Sequence, residues 1–285
     1  MYSSTNPPSP ESNKPSAPEF RQDPITGQWV VIAEDRAHRP HGCLASAAAP
    51  HSDRCPFCQG HEQETPPSVA SYPPPSGAAL PDDWQLRVVP NLYPALLPQA
   101  PWQPPDRPLR TAIPARGWHE VVIESPRHLR RLTELSADEA ALVLRAYRDR
   151  FRVYATDPCV ACGIAFKNCG REAGMSQEHI HSQLVALPFI PPVLELELLG
   201  ARDHHARSGE CVFCHLAESE RRLGIRLVGE TEHFLAICPY ASRAPYETWI
   251  LPRPHWARFE QTSTNALSEL AQLLQDVLWR LEDAL

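Results

Sequence analysis

Two histidines and a glutamine at alternating positions, His179, His181 and Gln183, are the side chains best suited to chemistry in this 285-residue chain. Side chains alternate across an extended strand, so the three would share one face. A neutral imidazole is a competent nucleophile toward phosphorus and a common metal ligand. The bland alternative is a solvated strand face that carries histidines by chance. Behind the three runs Leu184-Val185-Ala186-Leu187, closed by Pro188, as expected of a strand with a covered face. Ahead of them Gly170 and Gly174 bracket a loop whose backbone N–H groups could approach an anion.

Metal chemistry is the second possibility. The chain has nine cysteines, and three pairs have C-x-x-C spacing. Cys55 and Cys58 supply two thiolates, and His128 and His179 are the best-placed imidazoles. Together they would make a closed structural zinc site with no open position. Cys211, Cys214 and His255 form a second, repeated set that lacks a fourth ligand within the chain. Neither pair is expected to open a helix in a thioredoxin-like pattern. Cys159 and Cys162 have the same spacing but enter an apolar strand, so they are read as buried thiols, as are Cys43, Cys169 and Cys238. Arg36 and Arg39 follow a strand at 28–33. Two guanidiniums there could hold a diphosphate, and a solvated charge run is the alternative.

Composition narrows the partners. Net charge is −7 and no long basic run occurs, which argues against nucleic acid. No apolar run reaches membrane-spanning length, and no secretion signal opens the chain. The expected compartment is therefore the cytoplasm, where C-x-x-C spacing favours metal or redox chemistry over a disulfide framework. Thirty-two prolines imply many irregular connections.

The elements that would position these residues follow an internal repeat. Residues 1–18, polar and proline-rich, are expected to form a disordered leader. A first half, 19–195, should hold strands at 86–89, 118–124 and 159–167 and the strand of the central stretch. Ser136 and Glu139 make a capping box that opens a helix of roughly 18 residues. Residues 64–82 and 98–117 are read as loops, and 201–210 as a polar segment. A second half, 196–285, repeats the C-x-x-C, a strand ending in proline, a strand at 247–251, a turn bearing His255, and a helix from about Asn265. Glu120, Ile123 and His128 align without gaps on Glu247, Ile250 and His255. The chain ends inside the second helix, so the strand equivalent to the central one is expected to be truncated or lost. The fold class is α+β: two similar halves of mostly antiparallel sheet with helices packed on it, the second incomplete.

Cys55/Cys58, Asn91, His128, the stretch Phe166-Lys167-Asn168-Cys169-Gly170, His179-Ile180-His181-Ser182-Gln183 and the run Tyr246–His255 together resemble the galactose-1-phosphate uridylyltransferase family of the histidine-triad superfamily. The resemblance covers about residues 20 to 285. It implies two histidine-triad-like halves and a transfer of a nucleoside monophosphate between hexose 1-phosphates, by double displacement through a nucleotidyl-histidine. It implies His181 as nucleophile and Gln183 as the residue that bonds the transferred phosphoryl oxygens. Cys55, Cys58, His128 and His179 match a structural zinc site. Arg36, Arg39, Asn91, Asn168 and Ser176 match positions that contact the nucleotide diphosphate. Relatives are dimers, so a homodimer is implied. Two departures, Ile180 where the family has proline and Leu92 where it has aspartate, look closer to a plant-type branch of ADP-glucose phosphorylases. That branch has a second zinc site similar to Cys211, Cys214 and His255. Three functions follow as expectations: uridylyl exchange, nucleotidyl transfer to phosphate, or a non-catalytic zinc-stapled nucleotide-binding module.

Overall fold

A computed structural model describes residues 17–22, 29–33, 55–73, 83–101, 112–170, 172–175 and 177–285. Arg36, Arg39, Cys43, Ser176 and nearly all of the proposed leader lie outside these residues.

A five-stranded antiparallel sheet carries the central stretch. Its strands are β3 (Ala70–Tyr72), β4 (Leu86–Pro90), β6 (Trp118–Ile123), β7 (Cys162–Phe166) and β8 (His181–Leu187), in the order β3-β4-β6-β8-β7. β6 is flanked by β4 and β8, with Ile123 opposite His181 and Val121 opposite Gln183. The pleat sorts side chains by parity. Val122, Ser182, Leu184 and Ala186 face helix α1 (Ala137–Tyr154), while Val121, Ile123, His181 and Gln183 face the other way.

α1 begins as its sequence requires. Ser136 Oγ accepts from Glu139 N–H (3.3 Å), and Glu139 Oε2 accepts from Ser136 N–H (2.8 Å). This reciprocal cap satisfies two donors that the first turn leaves without helical partners. The helix buries Ala140, Val143, Leu144 and Ala146 against Leu86, Val88, Val122 and Leu184. Beneath that contact Arg150 and Tyr154 reach Glu120 on β6.

A small sheet, β2 (Trp29–Ile32), β1 (Glu19–Gln22) and β5 (Ala112–Pro114), packs through Phe20 and Ile113 against Leu96, Val185 and Phe189. Gly117 lies between β5 and β6 with φ +153, and a Cβ there would meet Ala186 O at 2.3 Å, so only glycine admits this approach.

Two helices, α2 (Pro192–Ser208) and α3 (Val212–Leu223), lead to a second antiparallel sheet of β9 (Leu227–Glu230), β10 (Phe234–Ile237) and β11 (Trp249–Pro252), in the order β11-β10-β9. The long helix α4 (Thr264–Ala284) packs on β9 and β10 and against α1, so Leu267 and Ala271 join the first core. The order β11-β10-β9 parallels β6-β4-β3 of the first sheet. The fold is α+β with mostly antiparallel sheets.

The structure corrects several local expectations. Residues 201–210 belong mostly to α2, which buries none of its residues and therefore shows no apolar periodicity. Strands β3 and β5 lie within stretches expected as loops. The second strand of the repeat runs Trp249–Pro252 rather than 247–251.

Candidate functional site

The Cys55–Cys58 turn closes on itself through Cys58 N–H to Cys55 O (3.2 Å) and is tied to the turn after β6 through Gln59 N–H to Pro126 O (3.1 Å). This brings the first thiols to His128 and His179. His179 sits two residues before β8 rather than on it, and is fully buried. Its Nε2–H donates to Ser125 O (2.8 Å), which turns Nδ1 toward the thiols at 3.5 Å from Cys55 Sγ and 3.5 Å from Cys58 Sγ. His128 Nδ1 lies 3.4 Å from Cys58 Sγ. The four ligand atoms form one group able to hold a metal ion. Burial, with smaller effects from His128 and His181, pushes the His179 imidazole down to about 4, so it stays neutral as a ligand must. Burial and then the neighbouring Cys55 push the Cys58 thiol up to about 12. A cation is what would draw the proton off such a thiol.

Cys211, Cys214 and His255 also converge, with Cys214 Sγ 3.3 Å from His255 Nδ1. Cys211 is the N-cap of α3 and Cys214 lies in its first turn, but this helix follows α2 rather than a strand, so the pattern is not thioredoxin-like. The residues preceding it offer no Ser, Thr, Asp or Asn at the cap position, which hid the boundary. A further group, Glu232, His233 and Glu269, was not signalled by spacing. In it His233 stacks on Trp256 and bonds Glu269 (2.9 Å).

On the cavity face His181 and Gln183 line a pocket of about 270 Å³ together with Phe57, Thr65, Asn91 and Tyr93. Phe57, one of the two residues between the first thiols, meets the rings of both His179 (5.9 Å) and His181 (5.4 Å) edge-on. Both imidazoles therefore reach the Phe57 ring, although only His181 lies on β8. His181 Nδ1–H donates to His179 O (2.8 Å), which puts the ring's remaining lone pair on Nε2.

Beneath the strand is a second polar layer. Lys167 Nζ donates to His181 O (2.9 Å) and to Glu124 Oε2 (2.7 Å), and Tyr147 OH bonds Ser182 Oγ (2.7 Å) and Glu124 Oε1 (3.1 Å). Burial foremost, then Glu124, holds the Tyr147 phenol well above its usual range. The structure also draws Asn91 to Gln183 and places a buried His119 beside both. Asn168 is half-buried two residues beyond β7, whose last residue, Phe166, pairs with Gln183. His119, Lys167 and Phe57 were not singled out in the sequence. His119 shares the parity of Val121 and Ile123, but only the β6–β8 register shows that this is the parity of His181.

His181 is thus a strand-borne imidazole with a fixed tautomer, facing a cavity and close to a thiol–imidazole cluster. A family profile described as the N-terminal domain of galactose-1-phosphate uridyl transferase matches residues 9–191. The chain belongs to this family of nucleotidyltransferases, whose members act on nucleotide sugars and sugar phosphates. It is 34% identical to the ADP-glucose phosphorylase of Arabidopsis thaliana over 95% of this chain and 76% of that protein. It is 30% identical to the galactose-1-phosphate uridylyltransferase of Thermotoga maritima over 91% of this chain and 74% of that one. A crystal structure of the Arabidopsis thaliana ADP-glucose phosphorylase with bound ADP-glucose matches with a TM-score of 0.70 and 32% identity, covering 94% of this chain and 79% of that one. No described helix is long and apolar enough to cross a membrane.

Proposed function

We propose that the protein transfers the nucleotidyl group of a nucleoside diphosphate sugar by double displacement, with His181 as the transient carrier. The observation that carries this is the His181 Nδ1–H bond to His179 O at 2.8 Å, which leaves Nε2 as the nucleophilic nitrogen of a residue lining the cavity. Nε2 attacks the α-phosphorus. A P–N bond forms, the P–O bond to the β-phosphate breaks, and sugar 1-phosphate departs as a stable dianion that needs little general-acid help. The ring becomes cationic, and the carbonyl already on Nδ1–H stabilises that charge. An oxygen of the acceptor then attacks phosphorus, the P–N bond breaks, and the neutral ring returns. Gln183 is assigned to the phosphoryl oxygens. Asn91, Asn168, Ser176, Arg36 and Arg39 are assigned to the diphosphate.

Zinc is the ion assigned to Cys55, Cys58, His128 and His179. Zn–S bonds of about 2.3 Å and Zn–N bonds of about 2.0–2.1 Å at tetrahedral angles put sulfur and nitrogen about 3.5 Å apart. The observed separations are 3.4 to 3.5 Å. Bound there, zinc would supply a closed structural clamp between the first loop and the approach to β8. The same ion is assigned to Cys211, Cys214 and His255.

Of the two acceptors, inorganic phosphate is supported by the 34% identity to an ADP-glucose phosphorylase. Hexose 1-phosphate is the second reading, supported by the 30% identity to a uridylyltransferase. The test uses ADP-glucose and UDP-glucose labelled at the α-phosphorus. The wild-type chain should retain acid-labile label and release one sugar 1-phosphate per site, and His181→Ala should do neither. Discharge of the labelled protein by phosphate against galactose 1-phosphate then decides the acceptor. Turnover by folded His181→Ala would defeat the covalent scheme.

A further inference from the structure

We infer that His119 is a positioning residue that determines which end of the Gln183 amide faces the reacting phosphoryl group. This rests on the assignment of His181 and Gln183 to nucleotidyl transfer. His119 is buried on β6 beside Gln183, and nothing in the motifs marks it. Ala95 N–H donates to its Nδ1 (3.0 Å). A backbone N–H is a donor only, so Nδ1 carries the lone pair and the neutral ring holds its proton on Nε2. That Nε2–H points at Gln183 Oε1, 2.9 Å away.

Asn91 acts in the same sense. Its Oδ1 accepts from Tyr93 N–H (2.9 Å), so its own amide turns NH2 toward the pair, 3.1 Å from His119 Nε2 and 3.5 Å from Gln183 Oε1. Two donors therefore converge on one oxygen. A flipped Gln183 would set its NH2 against His119 Nε2–H and Asn91 NH2, three donors with no acceptor among them. The amide thus keeps its carbonyl toward His119 and its NH2 for the cavity it shares with His181. The orientation matters because the transferred group carries anionic oxygens. An amide NH2 stabilises the charge that accumulates there, whereas an amide carbonyl would repel it. His119 touches neither substrate nor reacting atom in this scheme and acts through Gln183 alone.

Three substitutions separate this role from simple packing. His119→Asn keeps an acceptor near the Nδ1 position for Ala95 but places no donor at the Nε2 position. His119→Gln restores a donor there. Labelling of His181 by α-phosphorus-labelled ADP-glucose and UDP-glucose is followed in single turnover. With His119→Asn the labelling rate should fall about 10- to 30-fold, with a much smaller change in the half-saturating sugar nucleotide concentration. His119→Gln should recover most of that loss. In a Gln183→Ala background His119→Asn should cost less than about threefold more, because its target is gone. Equal labelling rates for wild type and His119→Asn would overturn the role. So would a loss that persists in full in the Gln183→Ala background, or a His119→Gln variant no better than His119→Asn. A wild-type chain that takes no label from either nucleotide would instead remove the transfer assignment, and this role with it.

Discussion

The triad of Glu120, Arg150 and Tyr154 offers a sharp test of how the site is held. Glu120 and Arg150 have side chains only 3% and 8% exposed. The guanidinium grips the carboxylate with both prongs, Nε to Oε2 at 2.8 Å and Nη2 to Oε1 at 2.6 Å, while Tyr154 OH adds a bond to Oε2 at 2.6 Å. Arg150→Met removes the cation and leaves a buried carboxylate with one hydroxyl. Breaking a buried pair in this way costs about 3–5 kcal/mol, because the remaining charge keeps its desolvation penalty and loses its compensation. Removing both charges, as Glu120→Gln with Arg150→Met, should recover most of that loss, to within about 2 kcal/mol of wild type. Urea unfolding followed by tryptophan fluorescence reads the difference. With a slope of about 3 kcal/mol per molar urea, the single variant should unfold about 1–1.7 M earlier. A single variant within about 0.2 M of wild type, or a double variant less stable than the single, would refute the reasoning.

Three further outcomes follow from the same physics. Burial and then nearby carboxylates hold the Tyr154 and Tyr147 phenols well above their ordinary value of 10.0, and Tyr72 is pushed up to about 12 by burial and then Asp149. A raised folded value means that stability is intact below pH 10 and is lost above it, by about 1.4 kcal/mol per pH unit for each such tyrosine. Tyr154→Phe should make the decline between pH 10 and 12 shallower by one proton, and an unchanged slope in alkaline urea titrations would contradict this. Gly117→Ala should cost at least about 2 kcal/mol, since its Cβ would lie 2.3 Å from Ala186 O, and an unshifted melting curve would show that the approach relaxes freely. Cys55→Ser should lower bound zinc by one equivalent in elemental analysis and depress Tm, while His255→Ala should remove a different equivalent; unchanged metal in Cys55→Ser would exclude the first cluster.

The central strand was legible because its signal is strong at three levels: alternation at His181 and Gln183, the apolar run to Leu187, and closure by Pro188. α1 was legible to the residue at its start because Ser136 and Glu139 write their cap into the sequence. The four-ligand cluster was legible because thiols and imidazoles have few other reasons to converge. α2 was hidden because a helix without a buried face has no period to find. β3 and β5, three residues each, are too short for alternation to show, and they form because β4 and β1 offer ladder partners. His119 was invisible for a related reason: it looks like any polar residue on a strand until the β6–β8 register and Ala95 place it.

Phe57 has a practical consequence. Its ring stands 5.4 Å from one imidazole and 5.9 Å from the other, on the same short turn as the first two thiols. An aromatic ring current acts over such spans, so the carbon-bound protons of His181 and His179 should resonate away from random-coil positions. Any swing of that turn would move both signals together. The protein thus carries a built-in magnetic reporter, readable without nucleotide, of whether the corner behind the His181 imidazole is in place.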